Sequence, residues 1–162
     1  FGGFALEHTK HLFIEMLPLI ILLPALNGMI GNYGIIVSSR FATMLHEGKI
    51  KKGIWYNKEL KVLFLQIGTI SLVIAAISAM LAAFLSNILG QAVSPFTTVK
   101  LVLIAIADVM LLVLILFVVA VLAGIYFYNK KEDPNNFLIP ITTSLADFGN
   151  MVLLAVLVVI FF

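Results

Sequence analysis

Four stretches of this chain are apolar almost without interruption, and three short polar runs divide them. The stretches are Leu12 to about Ser39, Val62–Leu89, Val99–Tyr128 and a last one opening at Pro134 and running to Phe162. Each is longer than the ~20 apolar residues a helix needs to cross a hydrocarbon layer. The pattern predicts an all-α integral membrane bundle of four full transmembrane helices. Asp133 followed by Pro134 reads as an N-cap and the first helical position, which fixes the start of the last helix. Pro18 and Pro24 interrupt the first span, and either can kink a membrane helix. Arg40 to Lys61 is the longest polar connection, Gly90–Thr98 with Pro95 is a short turn, and Asn129–Asp133 is a tight one. Trp55 and Tyr56, like Tyr126 and Tyr128, are placed at the headgroup level, where amphipathic rings collect.

Composition agrees with this pattern and narrows its meaning. The 162 residues are 62% hydrophobic and only 11% charged, against about 25% charged in a soluble domain. The partner implied is the lipid bilayer. A net charge of +2 gives no reason to expect a nucleic acid. The absence of cysteine excludes disulfides and thiolate metal sites. The polar connections are too short to fold by themselves, so residues 1–162 read as a single transmembrane domain. Of the ten Lys and Arg, all but Lys10 and Lys100 lie in the 40–61 and 129–133 connections, on one side of a four-span topology. The positive-inside rule makes that side cytoplasmic, in a multi-pass protein of the plasma membrane. The opening FGGFALE has no signal-peptide n-region and reads as the end of a preceding apolar segment. That would make five spans in the complete domain. A processed or cleaved terminus fits these residues equally well.

The candidate chemistry centres on the last span. Asp147 sits about ten residues into it, ~15 Å deep by helical rise. A charge at that depth normally faces a partner, a cavity or an ion path. Thr143 and Asn150 lie about one turn to either side on the same face. Pro140 has no N–H, so the carbonyl of Asn136 lacks its helical partner and is free for water or a cation. In the first span Gly28, Gly31 and Asn32 form a face without bulk. Close helix packing is the stronger reading of that face, and backbone open to an ion path is the functional one. Counted from the cytoplasmic ends, Asn32 lies ~12 Å deep and Asp147 ~15 Å, a shared level that favours a shared path. Gly68, Ser71, Ala75, Ser78 and Ala82 form a small-residue face that signals helix contact.

Other polar positions carry less. Asp108, a third of the way into the third span, is either a second ion or proton site or an acid bonded to a neighbouring helix. Asp133 is an N-cap with a cation-attracting role laid over it. Glu7, His11 and Glu15 share a face beside His8 and have ligand chemistry for a transition metal, though a solvated helix start explains them better. His46 and Glu47 read as surface. No nucleophile–base pair and no phosphate-cradling glycine loop is present, so the chain does not read as an enzyme.

The run PALNGMIGNYGIIVSSRFATMLHEGKI (24–50) together with DPNNFLIPITTSLADFGN (133–150) closely resembles the MgtE-type magnesium transporters, especially their solute-carrier relatives. The resemblance covers all four spans in order. It implies a five-helix domain, which FGGFALE would enter at the end of its first helix. It further implies a dimeric cation channel or transporter whose pore is lined by the glycine-bearing helix and the last helix. On that likeness Asp147 is the central pore carboxylate, Thr143 the pore position one turn before it, Asp133 the acid at the cytoplasmic mouth, and Gly28, Gly31 and Asn32 the wall. The transported ion implied is Mg²⁺, with other divalent cations possible. Nothing here resembles the regulatory cytoplasmic region of bacterial members or the doubled unit of larger relatives, so pairing with itself or a sister subunit is expected.

Mg²⁺ dehydrates reluctantly, and one carboxylate cannot strip it. Two Asp147 side chains across a two-fold axis can hold a hydrated ion through its waters. Two other functions stay open: an exchanger driven by Na⁺ or protons, with Asp108 or Asp147 titrating, and a non-transporting assembly subunit in which the glycine face only packs.

Overall fold

The computed structural model describes residues 16–50 and 57–162. Among them the chain forms four helices, α1 (Leu17–His46), α2 (Lys58–Ile88), α3 (Pro95–Asn129) and α4 (Pro134–Phe161). All four are long and apolar enough to cross a membrane, and the protein is an all-α membrane helical bundle. At ~1.5 Å per residue even the shortest exceeds 40 Å, so each crosses a ~30 Å layer with length left for tilt or interface.

Local chemistry sets where each helix starts and stops. Asp133 accepts a hydrogen bond from the Asn135 N–H at 3.0 Å, and Pro134 follows in the first turn. Ser94 and Pro95 repeat the device, with the Thr97 N–H on Ser94 Oγ at 3.1 Å. Asn57 caps α2 through the N–H groups of Glu59 and Leu60. The exits of α1 and α2 turn through Gly48 at φ 65° and Gly90 at φ 91°, the left-handed region that glycine enters without a Cβ penalty. The exit of α3 uses Lys131 at φ 61° instead.

Two boundaries differ from the sequence expectation. Helix α1 runs through Arg40 to His46, because Phe41, Ala42 and Leu45 continue its buried stripe beyond Ser39. Helix α3 begins at Pro95, inside the expected turn, because Ser94 supplies the cap. Pro18 falls in the first turn of α1, where a missing N–H costs nothing, and Pro24 alone lies inside that helix.

The core is one apolar cluster. Helix α4 packs against α1 and α3, α3 also packs against α1 and α2, and α2 also touches α1. Leu19, Leu22, Leu26 and Ile30 of α1 meet Ile104, Leu112 and Leu116 of α3 and Leu138 and Leu154 of α4 in it. Glycine sets how closely the helices approach. A Cβ at Gly124 would lie 2.7 Å from the Phe41 ring, and one at Gly149 would lie 2.7 Å from Leu112. On α2, Gly68, Ser71, Ala75 and Ala82 are buried and Ser78 partly so. Ser71 Oγ reaches Met110 Sδ of α3 at 3.7 Å.

Candidate functional site

Helices α1 and α4 run antiparallel, and polar contacts join them along their length. Where α1 ends and α4 begins, His46 Nε2 lies 3.6 Å from Asp133 Oδ1. Further in, Ser38 Oγ and Thr142 Oγ1 share a buried hydrogen bond at 3.0 Å. There Gly34 lets the backbones close, since a Cβ on it would stand 3.2 Å from Thr142 Cβ. Deepest is a three-membered chain: Asn150 Nδ2 donates to Asn27 Oδ1 at 3.1 Å, and Asn27 Nδ2 donates to Asp147 Oδ1 at 2.9 Å. With both ends of its amide engaged, Asn27 fixes one carboxylate oxygen of Asp147 and leaves Oδ2 outside this chain.

Asp147 is exposed on the surface of the protomer. Among the described residues no Lys, Arg or His pairs with it. Around it on α4, Asn136, Pro140 and Ser144 are exposed and Thr143 is half-buried. Thr143 donates its hydroxyl to the Ile139 carbonyl at 2.9 Å, with Pro140 O at 3.2 Å. Its proton is thereby spent on its own helix, and what the side chain offers outward is oxygen lone pairs. That is acceptor chemistry suited to a cation or its water. On α1, Pro24, Gly28 and Asn32 are exposed, with Gly31 and Ser39 half-buried. The two helices together present a stripe of oxygens and small residues at membrane depth. The outward face of α2 is different in kind, carrying Leu65, Ile70, Val73, Ile77, Leu81 and Phe84.

The glycines correct one expectation. Among the described residues a Cβ built on Gly28 or Gly31 meets nothing within 4 Å, so neither packs against another of the four helices. Gly34, one turn on, does that instead. Asn32 and Asp147 each lie about four turns beyond the His46–Asp133 contact, ~21 Å by helical rise, so the two stand at one level.

Other expected residues stand apart from the stripe. Asp108 is fully buried in α3, and among the described residues neither of its oxygens has a hydrogen-bond partner. It lies on no exposed face. Asp133 is exposed at the start of α4, where it caps the helix and borders a notch of about 500 Å³ with His46, Tyr128, Lys131 and Glu132. His46 is exposed but engaged, its ring edge-on to Tyr128 at 5.7 Å. Glu7, His8, His11 and Glu15 lie outside the described residues. Among those described, no cluster of three His, Cys, Asp or Glu forms a ready metal cage. Asn27 escaped the sequence reading, although an amide at that depth itself calls for a partner.

Comparison with known families decides what this face belongs to. The family described as MgtE, divalent cation transporter, matches residues 23–157, which takes in the stripe on both helices. The chain belongs to the MgtE divalent cation transporter family. Curated proteins and solved structures gave no match. An MgtE membrane unit is a transporter rather than an enzyme, and a multi-pass one, in keeping with the four spanning helices.

Proposed function

We propose that this chain passes a hydrated divalent cation, Mg²⁺ in the first place, along the α1/α4 stripe of a homodimer. One observation carries the reading. Asp147 is an exposed carboxylate at membrane depth, oriented by Asn27 and lacking a basic partner among the described residues. A charge turned toward lipid costs at least ~2.5 kcal/mol. A second copy presenting the same stripe removes that cost by converting the lipid-facing surface into a water-filled path, and two-fold pairing is the commonest symmetry for such closure.

In that path two Asp147 carboxylates face each other and repel when no ion lies between them. A divalent cation offsets the repulsion. Mg²⁺ keeps most of its waters, so the stripe works through them. Asp147 Oδ2 and the lone pairs of Thr143 accept hydrogen bonds from the water shell, joined by the Asn136 carbonyl that Pro140 leaves without a donor. Gly28 and Gly31 keep the opposite wall thin, and Asn32 adds an amide. Asp133 concentrates cations at the inner mouth, which the positive-inside rule assigns to the cytoplasm of a plasma-membrane protein. Asp108 has no place on this path. A sister subunit with a matching face would close it equally well.

The test is flux into liposomes across a panel of divalent cations, comparing the parent with Asp147→Asn and Asp147→Ala. Both variants should fold and lose flux. Parental flux through either one overturns the assignment of Asp147.

A further inference from the structure

By spacing Asn150 belongs to the face that carries Thr143 and Asp147, but the structure turns it inward. Asp147 is exposed, whereas Asn150, just under a turn further along α4, is fully buried. The backbone there is held firmly. At Gly149, the residue before it, α4 lies so close to α3 that a Cβ would stand 2.7 Å from Leu112 Cδ2.

Asn150 acts on its surroundings as a donor. Its Nδ2 donates to Asn27 Oδ1 at 3.1 Å, while its own Oδ1 is buried with no partner among the described residues. A buried carbonyl without a donor lowers stability, and an apolar side chain of similar size would leave no such group. What the amide contributes is therefore the N–H it gives to Asn27.

That N–H settles a choice which the Asn27 amide leaves open. One end of an amide only accepts and the other only donates, and half a turn about the last side-chain bond exchanges them. As observed, Asn27 Oδ1 accepts from Asn150 and its Nδ2 donates to Asp147 Oδ1 at 2.9 Å. Reversed, the Asn27 oxygen would meet the carboxylate and its N–H groups would meet those of Asn150. Acceptor then opposes acceptor, donor opposes donor, and both bonds are lost. Without Asn150 the reversal loses only one, and the Asn27 oxygen can turn to the water shell of an ion instead of its nitrogen holding the carboxylate.

We propose that Asn150 is a positioning residue for the transport path: from inside the core it fixes which end of the Asn27 amide faces Asp147, so that the carboxylate meets a donor. This rests on the assignment of Asp147 to the ion path, and adds to it a buried residue that no ion reaches.

Divalent flux into liposomes and thermal unfolding in detergent test it on Asn150→Leu, Asn27→Ala, the double variant and Asp147→Asn. Asn150→Leu should lower flux about three- to fivefold, the scale of one neutral hydrogen bond. Its melting temperature should equal or exceed the parent's, because the unpaired carbonyl is gone. Beside Asn27→Ala the same substitution should change flux by less than about twofold, since the amide it acts through is absent. A residue that only packs would act by the same factor in either background. Parental flux in Asn150→Leu, or an undiminished effect of it beside Asn27→Ala, overturns the proposal, and an inactive Asp147→Asn then leaves the path itself standing. Parental flux in Asp147→Asn overturns the path and the proposal with it. Should Asn150→Leu fail to fold, Asn150→Ala removes the amide without added bulk, and its flux with and without Asn27→Ala decides in the same way.

Discussion

Asn27 on α1 and Asp147 on α4 are 120 residues apart in sequence, and a 2.9 Å hydrogen bond from amide to carboxylate joins them at membrane depth. The bond satisfies one carboxylate oxygen without neutralising the charge. A lysine in that place would cancel the charge that a cation must meet, and an apolar residue would leave the carboxylate free to rotate. Asn27 is held in turn by Asn150. In the transport path proposed above, the pair is a positioning device with an open electrostatic demand.

Removing the amide should uncouple position from charge. Asn27→Ala leaves Asp147 charged but unfixed, and divalent flux should fall about tenfold, the effect of losing about 1.4 kcal/mol of a charge-assisted hydrogen bond. Asn27→Asp sets a second carboxylate beside the first. Its thermal stability in detergent should then depend on added Mg²⁺ more steeply than the parent's. Parental flux in Asn27→Ala would show that Asp147 needs no support.

Three glycines within two turns of α1 should respond differently. Gly28→Ala and Gly31→Ala meet no atoms within 4 Å among the described residues, so each should gain about 0.5–1 kcal/mol of helix stability. Gly34→Ala presses on Thr142 at 3.2 Å and should lower the melting temperature. Leucine at 28 or 31 should block flux while the protomer stays folded. Thermal unfolding of all five variants, with flux for the leucine pair, checks the set.

The same glycines show where sequence reading reaches its limit. Gly28, Gly31 and Gly34 look alike in a motif, and only the rotation of α1 against α4 decides which is pressed and which is open. Asp147 was legible because an isolated charge in an apolar run is costly whatever the fold. Asn27 was not, since its role depends on a partner 120 residues away. Spans were legible from length and apolarity, and the Asp133–Pro134 start from cap chemistry. Ser94–Pro95 carries the same signal inside what looked like a turn. The end of α1 was hidden because Arg40 and His46 are polar, while the buried Phe41, Ala42 and Leu45 between them extend the helix.

Asp108 gives the opposite expectation from Asp147. Its carboxyl is fully buried, with no partner for either oxygen among the described residues, and a buried polar group without a hydrogen bond costs about 1–3 kcal/mol. Asp108→Leu should therefore raise thermal stability, and Asp108→Asn should leave it near the parent. Neither should change divalent flux by more than about twofold, because the residue lies on no exposed face. A loss of flux in a folded Asp108→Asn would move the residue onto the transport path and favour proton-coupled exchange.

At the start of α4, the inner mouth of the proposed path, Asp133 has two roles that one substitution can separate. Its side chain caps α4 through the Asn135 N–H at 3.0 Å, and its charge faces the notch bordered by His46 and Tyr128. Asp133→Ser keeps a capping oxygen and removes the charge, so stability should change by no more than about 0.5 kcal/mol. Asp133→Ala loses both and should cost about 1 kcal/mol. Flux at low divalent concentration should fall in the two variants alike, by about two- to fivefold at low ionic strength, and the difference from the parent should shrink as salt screens the mouth. If Asp133→Ser instead keeps parental flux at low salt, the carboxylate serves α4 as a cap, and cation capture at the mouth belongs to other groups.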